Sequence, residues 1–135
     1  MKQDQIQLRV RYSETDQMGV VYHGNYLPYF EIGRVEWLRK QGVSYKSLEE
    51  RGIGLPIVSV KIDYKKPAVY DELLTVKTSL SLHRSVKIGF DCEIVNEQGD
   101  LLTTANFVLV FVDLASKRPV SPPDDIKSLL DNIVI

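Results

Sequence analysis

Alternating apolar and polar residues predict five β-strands in this chain. In the first, residues 5–12, the apolar side chains that alternate with polar ones are Ile6, Leu8, Val10 and Tyr12. A period of two is typical of a strand that is buried on one face. The same alternation recurs at 58–65, 74–82, 86–94 and 101–113. The last segment is apolar on both faces from Phe107 onward, so we expect it in the interior of a sheet.

A long helix is predicted between residues 24 and 40. Its apolar residues cover most of the circumference, which indicates burial on more than one side. They are Leu27, Phe30, Ile32, Val35, Trp37 and Leu38. Gly42 is expected to end this helix, because glycine readily adopts the left-handed conformation that follows many helix C-termini. Shorter helices are expected at 44–51, between Ser44 and Gly52, and near the end of the chain.

The order of these elements predicts an α+β fold. One strand and the long helix precede four consecutive strands, and short turns between those strands would make them antiparallel. The simplest packing is a curved five-stranded antiparallel sheet wrapped around the one long central helix. The third strand carries few of the charges, and none of the prolines, that protect an exposed edge. We therefore expect a homodimer joined edge to edge, with pairing through sheet faces giving a dimer of dimers.

Composition narrows the class of protein further. The chain has 135 residues, with 17 Lys and Arg against 18 Asp and Glu, and so a formal charge of −1. This length predicts a single domain over 1–135, and the absence of a basic excess argues against nucleic-acid or anionic-membrane binding. Cys92 is the only cysteine, the first residues form no apolar leader, and no apolar run approaches the ~20 residues of a membrane span. We therefore expect a cytoplasmic protein without disulfides or membrane spans.

Candidate chemistry is concentrated in the polar loop before the long helix. Asp16 lies in this loop, and the helix N-terminus that follows offers free backbone N–H groups and the positive end of the helix dipole. A carboxylate beside such a terminus suits acyl transfer, in which it attacks a carbonyl carbon or deprotonates the attacking water. An aspartate shortly before a glycine is more often a plain turn residue. The pattern alone favours that second interpretation.

The sequence of this loop resembles a known family signature. Residues 12–26 read YSETDQMGVVYHGNY, which is similar to the signature of hot-dog fold acyl-CoA thioesterases of the 4-hydroxybenzoyl-CoA thioesterase type, especially their YbgC-like branch. The similarity runs from about residue 6 to 120 and includes Phe30-Glu31, Arg34, Asp63-Tyr64, Pro67-Ala68 and 110–113. The resemblance implies the hot-dog fold and the hydrolysis of an acyl-CoA thioester to a free acid and coenzyme A.

The resemblance also implies roles for individual residues. Asp16 matches the catalytic carboxylate, as nucleophile or general base, and the backbone N–H of His23 matches the oxyanion donor. Tyr22 and Asn25 would shape the pocket. The family site lies between two subunits, so the partner's second predicted strand would line it through Val58, Ser59 and Val60. The family forms dimers and tetramers and uses no metal or cofactor; coenzyme A enters as part of the substrate.

Charged residues outside the loop have two interpretations each. The segment His83-Arg84-Ser85 lies at a predicted turn, where it either contacts the coenzyme A phosphates or is simply solvated. Lys65-Lys66 has the same two interpretations, with the solvated one favoured. Glu31 and Arg34 are spaced for an ion pair on one helix face. Glu31 is also the reserve candidate for the catalytic carboxylate.

Two other functions share the predicted fold. Hydratases and dehydratases of acyl thioesters need a His and a carboxylate at closer spacing, with Asn-Pro between them, and that motif is absent. A non-catalytic hot-dog domain would bind an acyl thioester or a protein partner without cleaving anything. Asp16 and His23 favour the enzyme over this alternative. The acyl group, and the choice between coenzyme A and acyl carrier protein, stay open at this point.

Overall fold

The computed structural model describes residues 2–135 and contains the predicted strands and the long helix. The strands are β1 (Gln3–Arg9), β2 (Ile53–Gly54), β3 (Ile57–Tyr64), β4 (Leu73–Arg84), β5 (Lys87–Val95), β6 (Leu101–Val110) and β7 (Val112–Asp113), and the helices are α1 (Tyr26–Lys40), α2 (Tyr45–Glu50) and α3 (Asp124–Asp131). Two single-turn 3-10 helices, Tyr12–Glu14 and His23–Asn25, lie between β1 and α1. The inward position predicted for Tyr12 is wrong: β1 ends at Arg9, and Tyr12 is 78% exposed.

Five strands form one antiparallel sheet in the order β1-β4-β5-β6-β3, and β2 pairs with β7 separately. The antiparallel five-stranded sheet and the interior position of β6 are as predicted. The expected edge is wrong, because β4 is paired with both β1 and β5. Residues 65–72 carry the chain across the sheet instead of turning β3 directly onto β4. The free edges of the sheet are therefore β1 and β3.

Helix α1 packs on one face of the sheet, against β1 and β4. Its buried residues are Tyr26, Tyr29, Phe30, Gly33, Arg34, Trp37 and Leu38. Gly33 permits the close approach to β4, because a Cβ at this position would lie 2.8 Å from Thr78 Oγ1. The prediction that α1 is buried on several sides is wrong for the single chain, in which Leu27 and Ile32 are 43% and 46% exposed.

Aromatic side chains join α1 to the inner strands of the sheet. The rings of Trp37 and Phe90 meet edge to face with their centroids 5.0 Å apart, and the Phe30 ring lies 5.4 Å from that of Phe107. All four side chains are fully buried. Pairs of this kind contribute beyond the area that they bury. This cluster fixes α1 on the sheet and thereby fixes the position of its N-terminus.

The shorter helices begin and end for local reasons. Gly42, with a φ of +91°, follows the end of α1, and Gly52, with a φ of +78°, follows α2, as predicted. The Ser44 side chain caps α2 by accepting the backbone N–H of Ser47 at 3.1 Å. Helix α3 packs through Ile126 and Leu130, both buried.

Candidate active site

The loop between β1 and α1 is held in place by hydrogen bonds to its own backbone. The Glu14 carbonyl accepts the backbone N–H of Tyr22 and the side-chain amide of Asn25, both at 2.9 Å. The backbone N–H of Val21 donates to the Ala68 carbonyl at 2.9 Å, which ties the loop to the segment after β3. These bonds hold the two ends of the loop together although the loop contains no long regular element.

Asp16 lies at the start of a tight turn within this loop. The Gly19 N–H donates to the Asp16 carbonyl at 3.0 Å, and the φ of +79° at Gly19 is a conformation that glycine adopts without strain. The Met18 N–H donates to Asp16 Oδ1 at 2.9 Å. Within residues 2–135, the second carboxylate oxygen of Asp16 has no hydrogen-bond partner. The turn therefore orients the carboxylate and leaves one oxygen free for chemistry.

His23 occupies the N-terminal end of the helical segment that becomes α1. Its carbonyl accepts the Tyr64 hydroxyl at 3.2 Å, and its ring lies 4.3 Å from the Tyr22 ring. In the part of the chain that the structure describes, the backbone N–H groups of His23 and Gly24 have no acceptor. Such unpaired donors at a helix N-terminus stabilise an oxyanion, and the helix dipole acts in the same direction.

One cavity of about 270 Å³ brings Asp16 and His23 together. Its lining residues are Asp16, Val20, Val21, His23, Tyr26, Tyr64, Lys65, Lys66 and Pro67. Two cations thus border the same space as the carboxylate. Lys66 forms an ion pair with Asp100 at 2.8 Å, which raises the pKa of Lys66, whereas Lys65 has no ion-pair partner within residues 2–135.

The other residues expected at the pocket lie around it rather than in it. The Asn25 side chain is used to close the loop, and Tyr22, 48% exposed, packs beside His23 without lining the cavity. Val58, Ser59 and Val60 lie on the edge strand β3 and are exposed in the single chain. The sequence did not identify Tyr64 as a lining residue and favoured a solvated position for Lys65 and Lys66, all of which line the cavity. The available signal for the lysines was their position directly after a strand and before Pro67.

The His83-Arg84-Ser85 segment does not line this cavity in the single chain, and its contact with the coenzyme A phosphates stays a prediction. The His83 side chain is only 8% exposed, and its Nε2 lies 2.8 Å from Asp131 Oδ1 on α3. Arg84 and Ser85 border a different cavity at the β4–β5 turn. In the single chain, His83 therefore anchors α3 to the sheet.

Glu31 and Arg34 do not form the ion pair that their spacing permits. Arg34 is 4% exposed, and its guanidinium carbon lies 4.4 Å from the centroid of the Phe107 ring. Both residues line a separate cavity rather than the one that contains Asp16. Glu31 is therefore poorly placed to replace Asp16 as the carboxylate beside His23.

The first turn of the loop carries a half-buried, hydrogen-bonded carboxylate, Glu14. Its Oε1 accepts the Tyr29 hydroxyl at 2.9 Å and the Arg11 backbone N–H at 2.7 Å. Burial alone would raise the pKa of Glu14, but the hydrogen bonds from Arg11 and Tyr29 outweigh it and hold this pKa below the ordinary value of 4.5. Burial and the bond to Glu14 raise the pKa of the Tyr29 hydroxyl. Ionised Glu14 therefore fastens the loop to α1.

Replacing Glu14 with glutamine is expected to destabilise the fold by about 1–3 kcal/mol at pH 7, because bonds to a charged acceptor are lost. The folded-state pKa is lowered, so the contribution of the carboxylate is present above about pH 4.5 and is lost as the pH falls through that lower pKa. Urea unfolding of both proteins at pH 7 and pH 3 measures the effect. An equal difference at the two pH values would contradict the role of the ionised group.

Within 2–135, no group of three or more His, Cys, Asp and Glu side chains is arranged to hold a metal ion. No helix in this span is long and apolar enough to cross a membrane.

Comparison with known proteins agrees with the signature in the loop. Residues 10–130 match the family described as the thioesterase-like superfamily. YneP of Bacillus subtilis (strain 168) is 38% identical over 114 residues, 84% of this chain and 83% of YneP. The acyl-CoA thioester hydrolase YbgC of Escherichia coli O6:H1 is 32% identical over 119 residues, 88% of this chain and 89% of YbgC. The structure of DHNA-CoA thioesterase from Staphylococcus aureus superposes with a TM-score of 0.94 at 33% identity, over 97% of this chain and 90% of that one. The chain therefore belongs to the thioesterase-like superfamily, as a hot-dog fold thioester hydrolase of the YbgC and YneP type.

Proposed function

We propose that the cavity containing Asp16 and His23 hydrolyses acyl-CoA thioesters. The observation that carries the proposal is the presence of a carboxylate and an unpaired helix N-terminal N–H on one cavity. The relative YbgC, which is named an acyl-CoA thioester hydrolase, supports coenzyme A as the carrier of the acyl group.

In the proposed reaction, the thioester oxygen accepts the backbone N–H of His23, which polarises the carbonyl carbon. Asp16 either attacks that carbon directly or removes a proton from the water that attacks it. The carbon–sulfur bond then breaks, and the coenzyme A thiolate takes up a proton. On the direct route the acyl group is then held on Asp16 as an anhydride, and water hydrolyses this anhydride to release the acid and restore the carboxylate. The net result is one water consumed, one carboxylic acid formed and one thiol released. On either route Asp16 is essential, because among residues 2–135 of the single chain no other carboxylate lines this cavity.

Coenzyme A also needs a cationic surface for its phosphates. Lys65 and Lys66 border the reaction cavity, and the Lys66–Asp100 pair is solvent-exposed and therefore weak, whereas the His83 side chain is only 8% exposed and lies against Asp131. We therefore assign the phosphate contacts to the two lysines, whose ammonium groups bind phosphate as point charges. Tyr22 would then form the mouth of the site. Asn25 would hold Tyr22 in place, because both residues donate to the Glu14 carbonyl.

The assembly that we propose is a homodimer through β3. This strand is paired on one side only, and its apolar residues Ile57, Val58 and Val60 are 43–58% exposed. A free strand edge with exposed apolar residues favours pairing with a second chain, and pairing would bring Val58, Ser59 and Val60 to the partner's cavity. A single domain over 1–135, a further pairing into a dimer of dimers and a cytoplasmic location stay predictions from the sequence.

Thiol release from a panel of acyl-CoA thioesters tests the proposed activity. We expect turnover on at least one of short, medium, long aliphatic or aromatic acyl groups. We also expect a lower KM for a coenzyme A thioester than for the matching S-acyl pantetheine, because the latter lacks the phosphates that Lys65 and Lys66 would bind. Saturable binding of a coenzyme A thioester with no release of thiol would instead support the non-catalytic binding domain.

A further inference from the structure

A second cavity, of about 440 Å³, contains an incompletely paired charge. Its polar lining residues are Glu31, Arg34, Tyr45 and Glu49, and its remaining walls are apolar, with Ile57 at the start of β3 among them. Arg34 is 4% exposed, and its Nε and Nη1 atoms have no hydrogen-bond acceptor within residues 2–135. Its contact with the Phe107 ring involves the π face and satisfies neither N–H group.

Such an arrangement calls for an acceptor from outside the single chain. A guanidinium remains charged at any physiological pH, and burying it without acceptors is unfavourable. Buried polar groups in native proteins nearly always have partners, so an orphaned donor on a cavity marks the place where a group is still to bind. The Tyr45 hydroxyl satisfies part of this guanidinium: burial raises the pKa of Tyr45, while the charge of Arg34 and a hydrogen bond from Arg34 act in the opposite direction. The hydroxyl keeps its proton and adds a donor to the cavity, and Nε and Nη1 of Arg34 stay unpaired within residues 2–135.

Strand β3 links this cavity to the one that contains Asp16. Ile57, the first residue of β3, lines the Arg34 cavity, and Tyr64, the last, lines the Asp16 cavity. Within one chain these ends are about 24 Å apart, since β3 has eight residues at a rise of about 3.4 Å each. If two copies related by a two-fold axis pair β3 antiparallel over its full length, with the axis between residues 60 and 61, Ile57 of one strand lies within about 5 Å of Tyr64 of the other.

The geometry points to a composite site in which Arg34 of one subunit binds the far end of an acyl group whose thioester is cleaved at Asp16 of the other. This inference rests on the proposed function and on pairing through β3. Arg34 would then determine specificity without taking part in the chemistry. It would favour acyl groups that end in an oxygen acceptor over acyl groups of equal length that end in a methyl group.

The charges of the cavity define that acceptor further. Its apolar walls suit the body of an acyl chain or ring. Two carboxylates, Glu31 and Glu49, lie on the same cavity as the one guanidinium, so an acid-terminated acyl group would be repelled. A neutral hydroxyl or carbonyl oxygen can accept from Arg34 without that repulsion, and a hydroxyl can also donate to one of the glutamates.

Matched pairs of substrates test the role of Arg34. The probes are coenzyme A thioesters of equal chain length that end in a methyl or a hydroxyl group, and the readout is the ratio of their kcat/KM values. We expect the wild type to prefer the hydroxyl-ended ester once the acyl chain is long enough to reach Arg34. We expect Arg34→Met to lose about tenfold or more of that preference.

Arg39→Met, on the exposed side of the same helix with a side chain 57% exposed, is the control and should keep the preference. Arg34→Lys, which keeps the charge, is the second variant if Arg34→Met does not fold. A preference unchanged in every folded variant would overturn the inference.

Mixed dimers separate this inference from the proposed catalytic role. In a dimer of one Asp16→Ala chain and one Arg34→Met chain, one site combines intact Asp16 with intact Arg34 of the partner subunit. We expect that heterodimer to show the wild-type preference for the hydroxyl-ended ester. Turnover without the preference would mean that Arg34 does not act across the interface, and would overturn the composite site. Full turnover by the Asp16→Ala homodimer would instead refute the catalytic role of Asp16, whatever the preference.

Discussion

Asp16→Asn is expected to lower kcat for acyl-CoA hydrolysis by about 10²-fold or more, because an amide can act neither as a nucleophilic carboxylate nor as a general base. The amide oxygen can still accept the Met18 N–H that Asp16 Oδ1 accepts at 2.9 Å. Asparagine is also well suited to turns, so the turn and the cavity should survive. The loss should therefore fall on kcat while the urea unfolding midpoint stays close to that of the wild type.

A matched control separates this effect from a general loss of negative charge. Glu97→Gln removes a carboxylate from the exposed turn between β5 and β6 and should leave turnover unchanged. Near wild-type kcat for Asp16→Asn would contradict the assignment of the carboxylate. If Glu31→Gln then abolished turnover, the catalytic carboxylate would lie on α1, in the cavity that also contains Arg34.

The parts of the fold that depend on local pattern could be predicted from the sequence. Alternation identified the strands, and Gly42 and Gly52 marked the ends of α1 and α2. Pairing order could not be predicted in this way, because alternation shows which face of a strand is buried but not which strand lies beside it. The alternation therefore does not indicate the crossover between β3 and β4. For the same reason the predicted free edge, β4, is wrong, and the edges are β1 and β3.

In the candidate site, too, residues within one short segment could be predicted, and contacts between distant segments could not. Asp16 and His23 belong to one short loop, so a sequence signature could identify both. Tyr64 reaches His23 across 41 residues of sequence, and no local pattern reveals that contact. The contact between His83 and Asp131 likewise spans 48 residues of sequence. The position of His83 at a turn near other cations therefore does not show which group its side chain contacts.

We expect the double substitution Val58→Lys with Val60→Lys to convert the proposed dimer to a monomer. It places lysines on the inner face of β3 and should lower turnover by about 10²-fold or more. The two valines are 58% and 43% exposed in the single chain, so the substitution removes little packing within it. In a two-fold symmetric pairing the new charges of both subunits would face one another near the axis, which is unfavourable. The cavity at Asp16 would then lack the walls that the partner's β3 supplies.

Sedimentation velocity and thiol release on the same samples distinguish the reasons for lost activity. Leu129→Lys, at a position on α3 that is 40% exposed, is the control for an added surface charge and should leave both measurements unchanged. A folded monomer without turnover would support a site shared between subunits, because each chain carries its own Asp16 and His23 yet could not use them. A monomer with full turnover would mean that one chain holds the whole site. A dimer that persists would move the interface to β1, the other free edge of the sheet.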